Sequence, residues 1–155
     1  MFYLRRVLVG LGICLLTALP VRAFTFSYGQ AFSVAGLSQK KGKLHLPLAQ
    51  RKYANVKITG KDLYRFLQTC REDCSYPAEN IAFATTDLHR ALSRQDMFIA
   101  EVEFNGEVVL TFLVFTHADG VSVQVPKGVM FMDKPLQQQV YRYLTESVQN
   151  DTVQL

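Results

Sequence analysis

Cys70 and Cys74, in the stretch "CREDC", are the residues whose type and spacing most invite chemistry. A pair with three residues between can exchange disulfides, hold a soft metal ion, or close a covalent staple. Thiol exchange favours an attacking sulfur at a helix N-terminus, where the dipole lowers its pKa. Here Leu63, Phe66, Leu67 and Cys70 follow the i, i+3, i+4, i+7 rule of an amphipathic helix, and Cys74 continues the stripe. The pair therefore sits at a helix C-terminus, beside Glu72 and Asp73, and both features raise a thiol pKa. One helical turn at ~1.5 Å per residue sets the Cα atoms about 6 Å apart, inside the disulfide range. The expected outcome is a disulfide whose five-residue loop contributes about 2 kcal/mol.

The spacing, with Pro77 soon after, is similar to the Cys-x3-Cys of exported copper chaperones of the Sco type. That resemblance implies an alternative in which the two sulfurs and a distant histidine hold Cu(I), or the pair acts in thiol redox exchange. In that family the cysteines precede a helix, whereas here they follow one. The histidines add little. His45 lies in an extended basic segment, His89 on a short helix near Asp87, and His117 two residues before Asp119 in "HADG". None forms an H-x3-H or HExxH pattern, so each reads as a surface or capping residue. Glu101 and Glu103 share the solvent side of one strand, and no G-x-S-x-G elbow or phosphate-cradling glycine loop occurs. No catalytic residue, metal ligand or cofactor site is nominated.

Export argues for the staple. Arg5 and Arg6 precede the apolar run 7–21, and Ala23 offers a small-residue cleavage point, the pattern of a secretory signal peptide. The run includes Pro20 and falls short of the roughly 20 apolar residues a membrane span needs. Residues 1–23 read as signal and 24–155 as a single domain. Cleavage would leave Cys70 and Cys74 as the only cysteines, in an oxidising compartment where nearby thiols pair.

Cleavage also changes the charge balance. Removing Arg5, Arg6 and Arg22 from the 17 basic residues leaves 14 against 13 acidic ones. Residues 24–61 hold Lys40, Lys41, Lys43, Arg51, Lys52, Lys57 and Lys61 with no acid, and the remainder holds all 13 acids. Such an arm can meet an anionic envelope component, or fold onto its own acidic half; the dispersed spacing favours the second. Lys40, Lys41, Lys43, Arg51, Lys52 and Lys57 are the candidate contacts of an anionic partner. An exported chain with no recognition motif is not expected to bind nucleic acid.

The elements that must position these residues are legible from periodicity. "FTFSYGQAFSV" (24–34) alternates as a half-buried strand, 36–43 reads as a polar mobile loop, "LHLPLA" as extended chain, and 54–58 as a short strand. Thr59 is the expected N-cap of the helix that ends at the cysteines, and "SYP" (75–77) closes that element. Residues 80–84 suit a strand, and Thr86 a cap for a short helix carrying Leu88, Ala91 and Leu92. Residues 97–125 read as a three-stranded meander turning at Asn105-Gly106 and Asp119-Gly120. Its middle strand, Val108 to Phe115, is apolar on both faces, so Val109, Leu113 and Phe115 need a cover. The N-terminal aromatics are the expected one, a second copy of the chain the other. Asp133 and Pro135 open a last helix with a stripe of Leu136, Val140, Tyr141, Leu144 and Val148.

The expected fold is α+β: an antiparallel sheet, the meander 97–125 plus N-terminal strands, packed with two or three helices. The expected function is that of an exported envelope protein, a non-enzymatic binding or structural module whose partner is an envelope protein or anionic component. The alternatives are the periplasmic copper-binding or thiol-redox protein using Cys70 and Cys74, and a small hydrolase of unidentified site.

Overall fold

The alternation of Phe24, Phe26 and Tyr28 builds a strand, β1 (Ala23–Tyr28), that buries all three rings. The computed structural model describes residues 21–47 and 54–153; residues 1–20 of the expected signal, with Arg51 and Lys52, lie outside them. The chain then reverses, so residues 24–34 are two strands and not one. Gly29, at φ +54°, makes the turn, and a Cβ there would lie 2.1 Å from the Ala78 carbonyl oxygen. β2 (Phe32–Lys40) runs on through the segment expected to be a loop, and a two-residue turn at Lys41-Gly42 returns it as β3 (Lys43–His45). Both turn residues have positive φ, 51° and 73°, as such hairpins demand.

β4 (Val56–Ile58) precedes helix α1 (Lys61–Thr69). The N-cap is Gly60, with no side-chain cap; the Thr59 hydroxyl donates instead to the Gly106 carbonyl at 3.0 Å. Leu63 and Leu67 are buried, as the stripe requires, but the helix stops at Thr69. Cys74 is consequently not helical: it opens β5 (Cys74–Tyr76), which pairs parallel with β1. The expected short helix after Thr86 is instead β6 (Phe83–Arg90). Its partner is β7 (Met97–Phe104), and the helix-like spacing of Leu88, Ala91 and Leu92 arises because β6 ends at Arg90, leaving Ala91 and Leu92 in the turn beyond it.

The meander forms as expected from β7, β8 (Val108–His117) and β9 (Gly120–Gln124). At the first turn Asn105 and Gly106 have φ of 50° and 71°, yet Phe104 registers with Val108, leaving Glu107 outside the ladder. β10 (Val129–Phe131) and helix α2 (Lys134–Val153) complete the chain. Asp133 caps α2, accepting from the Leu136 N–H at 2.9 Å.

The result is mostly β, roughly α+β, with two helices and two sheets where one sheet was expected. The first sheet has the order β10-β2-β1-β5 with β3 also on β2; the second runs β4-β8-β7-β6 with β9 also on β8. Phe32 of the first meets Phe104 of the second at 5.1 Å, and Phe131 lies 6.2 Å from Phe104. The even-numbered side chains of β7 and β8, the N-terminal aromatics, and the buried stripes of α1 and α2 share one core. This corrects the expected cover of Val109, Leu113 and Phe115, because the N-terminal aromatics pack on the opposite face of β8. Val109 and Thr111 are nonetheless buried, Thr111 donating to the Ala54 carbonyl at 2.8 Å, and Phe115 lies under the Arg94 guanidinium at 5.3 Å.

Candidate functional site

The expected cysteine pair and three of the expected basic residues belong to one corner of the first sheet. Cys70 terminates α1, its N–H reaching the Leu67 carbonyl at 3.3 Å, and is bonded to Cys74 across a Cα separation of 6.2 Å. The bond thus joins the end of the helix to the edge strand β5. A disulfide sulfur has no thiolate charge to offer a metal, so a copper site here first requires reduction.

Gln39 of β2 braces the same corner. Its amide nitrogen reaches the carbonyls of Leu67, Gln68 and Cys70 at 2.8–2.9 Å, at the helix end where intrahelical donors run out. Its amide oxygen accepts from Arg71 at 2.6 Å, and that guanidinium also donates to the Gln68 carbonyl at 3.0 Å. A cation at a helix C-terminus is favoured by the dipole. Asp73 is occupied with the Thr25 N–H at 2.8 Å. One residue beyond Gln39 the hairpin tip begins: Lys40 stands opposite Lys43, Lys41 is in the turn, and all three are exposed. Among the described residues no carboxylate pairs with them.

Lys57 belongs elsewhere. It lies on β4 in the second sheet, where its ammonium pairs with Glu101 at 2.5 Å. The two readings of the basic arm therefore divide by residue: Lys57 folds onto the protein's own acid, while Lys40, Lys41 and Lys43 do not.

The histidines are scattered, as expected; His89 keeps the Asp87 neighbour that the sequence named, while His117 has a partner that spacing did not single out. The His89 Nδ1 lies 2.9 Å from the Asp87 carboxylate, on strand β6 and not on a helix. His117 meets not Asp119 but Ser122, its Nε2 lying 2.9 Å from the Ser122 Oγ across the β8–β9 turn. Nearby, Arg94 forks onto Asp96 at 2.6 and 3.1 Å, and that hydrogen bonding holds the Asp96 carboxyl below its ordinary range. A hydroxyl and an imidazole in hydrogen-bond contact are the minimum of a nucleophile and base.

A third cluster was missed altogether. Tyr28 donates to Glu107 Oε2, and Tyr76 to Oε1 at 3.0 Å. Burial, then the hydrogen bond to Glu107 and its charge, raises the pKa of both phenols. The Glu107 carbonyl also receives the N–H groups of Thr59 and Gly60 at 2.8 and 3.0 Å. A two-residue turn at Asn105-Gly106 would have kept Glu107 in the ladder; the three-residue turn that forms leaves it outside, so the sequence carried no signal for this cluster. Gly60 must lack a side chain, since a Cβ would lie 2.9 Å from the Cβ and Cγ of Glu107.

Two open clefts flank these groups. One, of about 370 Å³, lies along α1 beside Lys61, Tyr64, Arg65 and Gln68. The other, of about 550 Å³, lies between the β1–β2 turn and the start of α2, with Gln30, Asn80, Asp133 and Gln139 in its walls. Among the described residues no three of His, Cys, Asp and Glu gather as a metal site would require. No protein-family model, curated protein or solved structure matches this chain.

Proposed function

We propose that the protein is an exported envelope protein acting as a non-enzymatic binding module, which presents the tip of the β2–β3 hairpin to an anionic envelope component. The observation that carries the reading is the trio Lys40, Lys41 and Lys43, exposed on a tight hairpin and, among the described residues, unpaired with acid. Gln39 ties that hairpin to α1, and the Cys70–Cys74 bond ties α1 to β5, so the lysines stand on a braced corner. The disulfide itself supports an oxidising compartment. Each lysine near an anionic surface contributes about 1 kcal/mol, so three give a weak contact of roughly a hundredfold, suited to a crowded surface.

The test is cosedimentation of the purified protein with vesicles of anionic phospholipid and with zwitterionic ones. Binding to the anionic vesicles alone, lost at high salt and in K40E/K41E/K43E, is expected. No binding at low salt, or binding indifferent to the triple variant, would sink the proposal.

A second reading, a small hydrolase, has the Ser122–His117 contact in its favour. A fluorophosphonate probe decides it. Labelling of Ser122 that disappears in H117A would establish the nucleophile; an unlabelled Ser122 removes the reading.

A further inference from the structure

The outer edge of β6 is an open ladder. β6 pairs with β7 on one side, and among the described residues no strand lies on the other. The Ala91 N–H bonds to the Met97 carbonyl at 2.8 Å, which sets the phase. Hydrogen-bonded and non-hydrogen-bonded pairs alternate in an antiparallel ladder, so Asp87, His89 and Ala91 turn their backbone groups to β7. Leu88 and Arg90 then turn their N–H and C=O outward. No Pro or Lys blunts this stretch, and the irregularity at Thr85/Asp87 lies before it. Leu92, the most exposed large apolar side chain among the described residues, follows at its rim.

The geometry points to a second copy of this chain as the occupant, with β6 pairing antiparallel to β6 about a two-fold axis at Leu88. Only outward residues can exchange hydrogen bonds, which leaves three central registers. Centring on Arg90 sets two guanidinium-bearing strands face to face. Pairing Leu88 with Arg90 sets His89 against the partner's His89. Centring on Leu88 sets Asp87 against the partner's His89, twice, on one face of the sheet, and Leu88 against the partner's Leu88 on the other. Only this last register matches acid to imidazole, and the existing Asp87–His89 contact already orients both side chains toward that face. The two second sheets would become one continuous sheet across the axis. The lysine hairpin plays no part, so this inference and the proposed function stand or fall separately.

Sedimentation velocity of the purified protein over a concentration series is the test. The expected result is a reversible dimer. D87H sets imidazole against imidazole and H89D carboxylate against carboxylate, and each should weaken dimerisation about tenfold, since the axis counts every pair twice. The swap D87H/H89D should restore it. L88P removes an N–H that β7 does not use, as edge strands tolerate, and should leave a folded monomer. A protein monomeric at every concentration overturns the inference, as does a dimer indifferent to D87H or one that the swap fails to rescue.

Discussion

Tyr28 and Glu107 stand 79 residues apart in sequence, yet the phenol is fully buried and donates to the carboxylate. The folded protein raises the Tyr28 pKa above the ordinary phenol value of about 10, chiefly by burial. The folded state therefore holds this proton more tightly than the unfolded chain. Stability from this group is intact below about pH 10 and falls as pH rises beyond it, and Tyr76 is shifted in the same direction. Y28F should lower stability at neutral pH by about 1.5–3 kcal/mol, the range for a hydrogen bond to a charged group, and should flatten the alkaline decline. Urea midpoints at neutral pH and above about pH 10 measure both effects. Parallel alkaline declines in the two proteins would show that Tyr28 does not carry the linkage.

Of the two helices, α1 depends more on what lies outside it. It is nine residues long, short for independent stability, and has no side-chain N-cap. Its C-terminus is closed by Gln39, Arg71 and the disulfide. Reducing the Cys70–Cys74 bond should cost about 2 kcal/mol, from the five-residue loop alone. Backbone amides of α1 and β5 should then exchange with solvent faster than those of β7 and β8. A reduced protein with an unchanged denaturation midpoint would show that the bond is not a staple. The helix stripe as far as Cys70, though not its continuation to Cys74, and the disulfide were readable, because each depends on residues within one or two turns. The strand at Cys74–Tyr76 was not, because a three-residue strand exists only through its pairing with β1, 48 positions away.

Across the molecule, the packing of one sheet on the other decides which side of β8 is the core. Phe104 is fully buried and touches Phe32, Phe83 and Phe131, whereas Phe115, on the other face, is half-buried under Arg94. F104A should cost about 3–5 kcal/mol, a large part of a domain's net stability. F115A should cost about 1 kcal/mol. Thermal melts of the two variants check the order, and a reversed order would place the core on the wrong face.

Local chemistry by itself determined much of this protein. The meander 97–125, the stripe of α2, the alternation of Phe24, Phe26 and Tyr28, and the pairing of two neighbouring cysteines all rest on short-range periodicity, turn preference or spacing. Tertiary structure alone decided the rest. It turned 36–40 from loop to strand, made β6 from a segment with helix-like spacing, and split the expected sheet in two. It also brought Glu107 to Tyr28 and Tyr76, Ser122 to His117, and Gln39 to the end of α1. The physical reason is common to these cases. A strand edge or a polar side chain is satisfied by whatever partner the fold brings near, and a partner dozens of residues away leaves no period in the sequence.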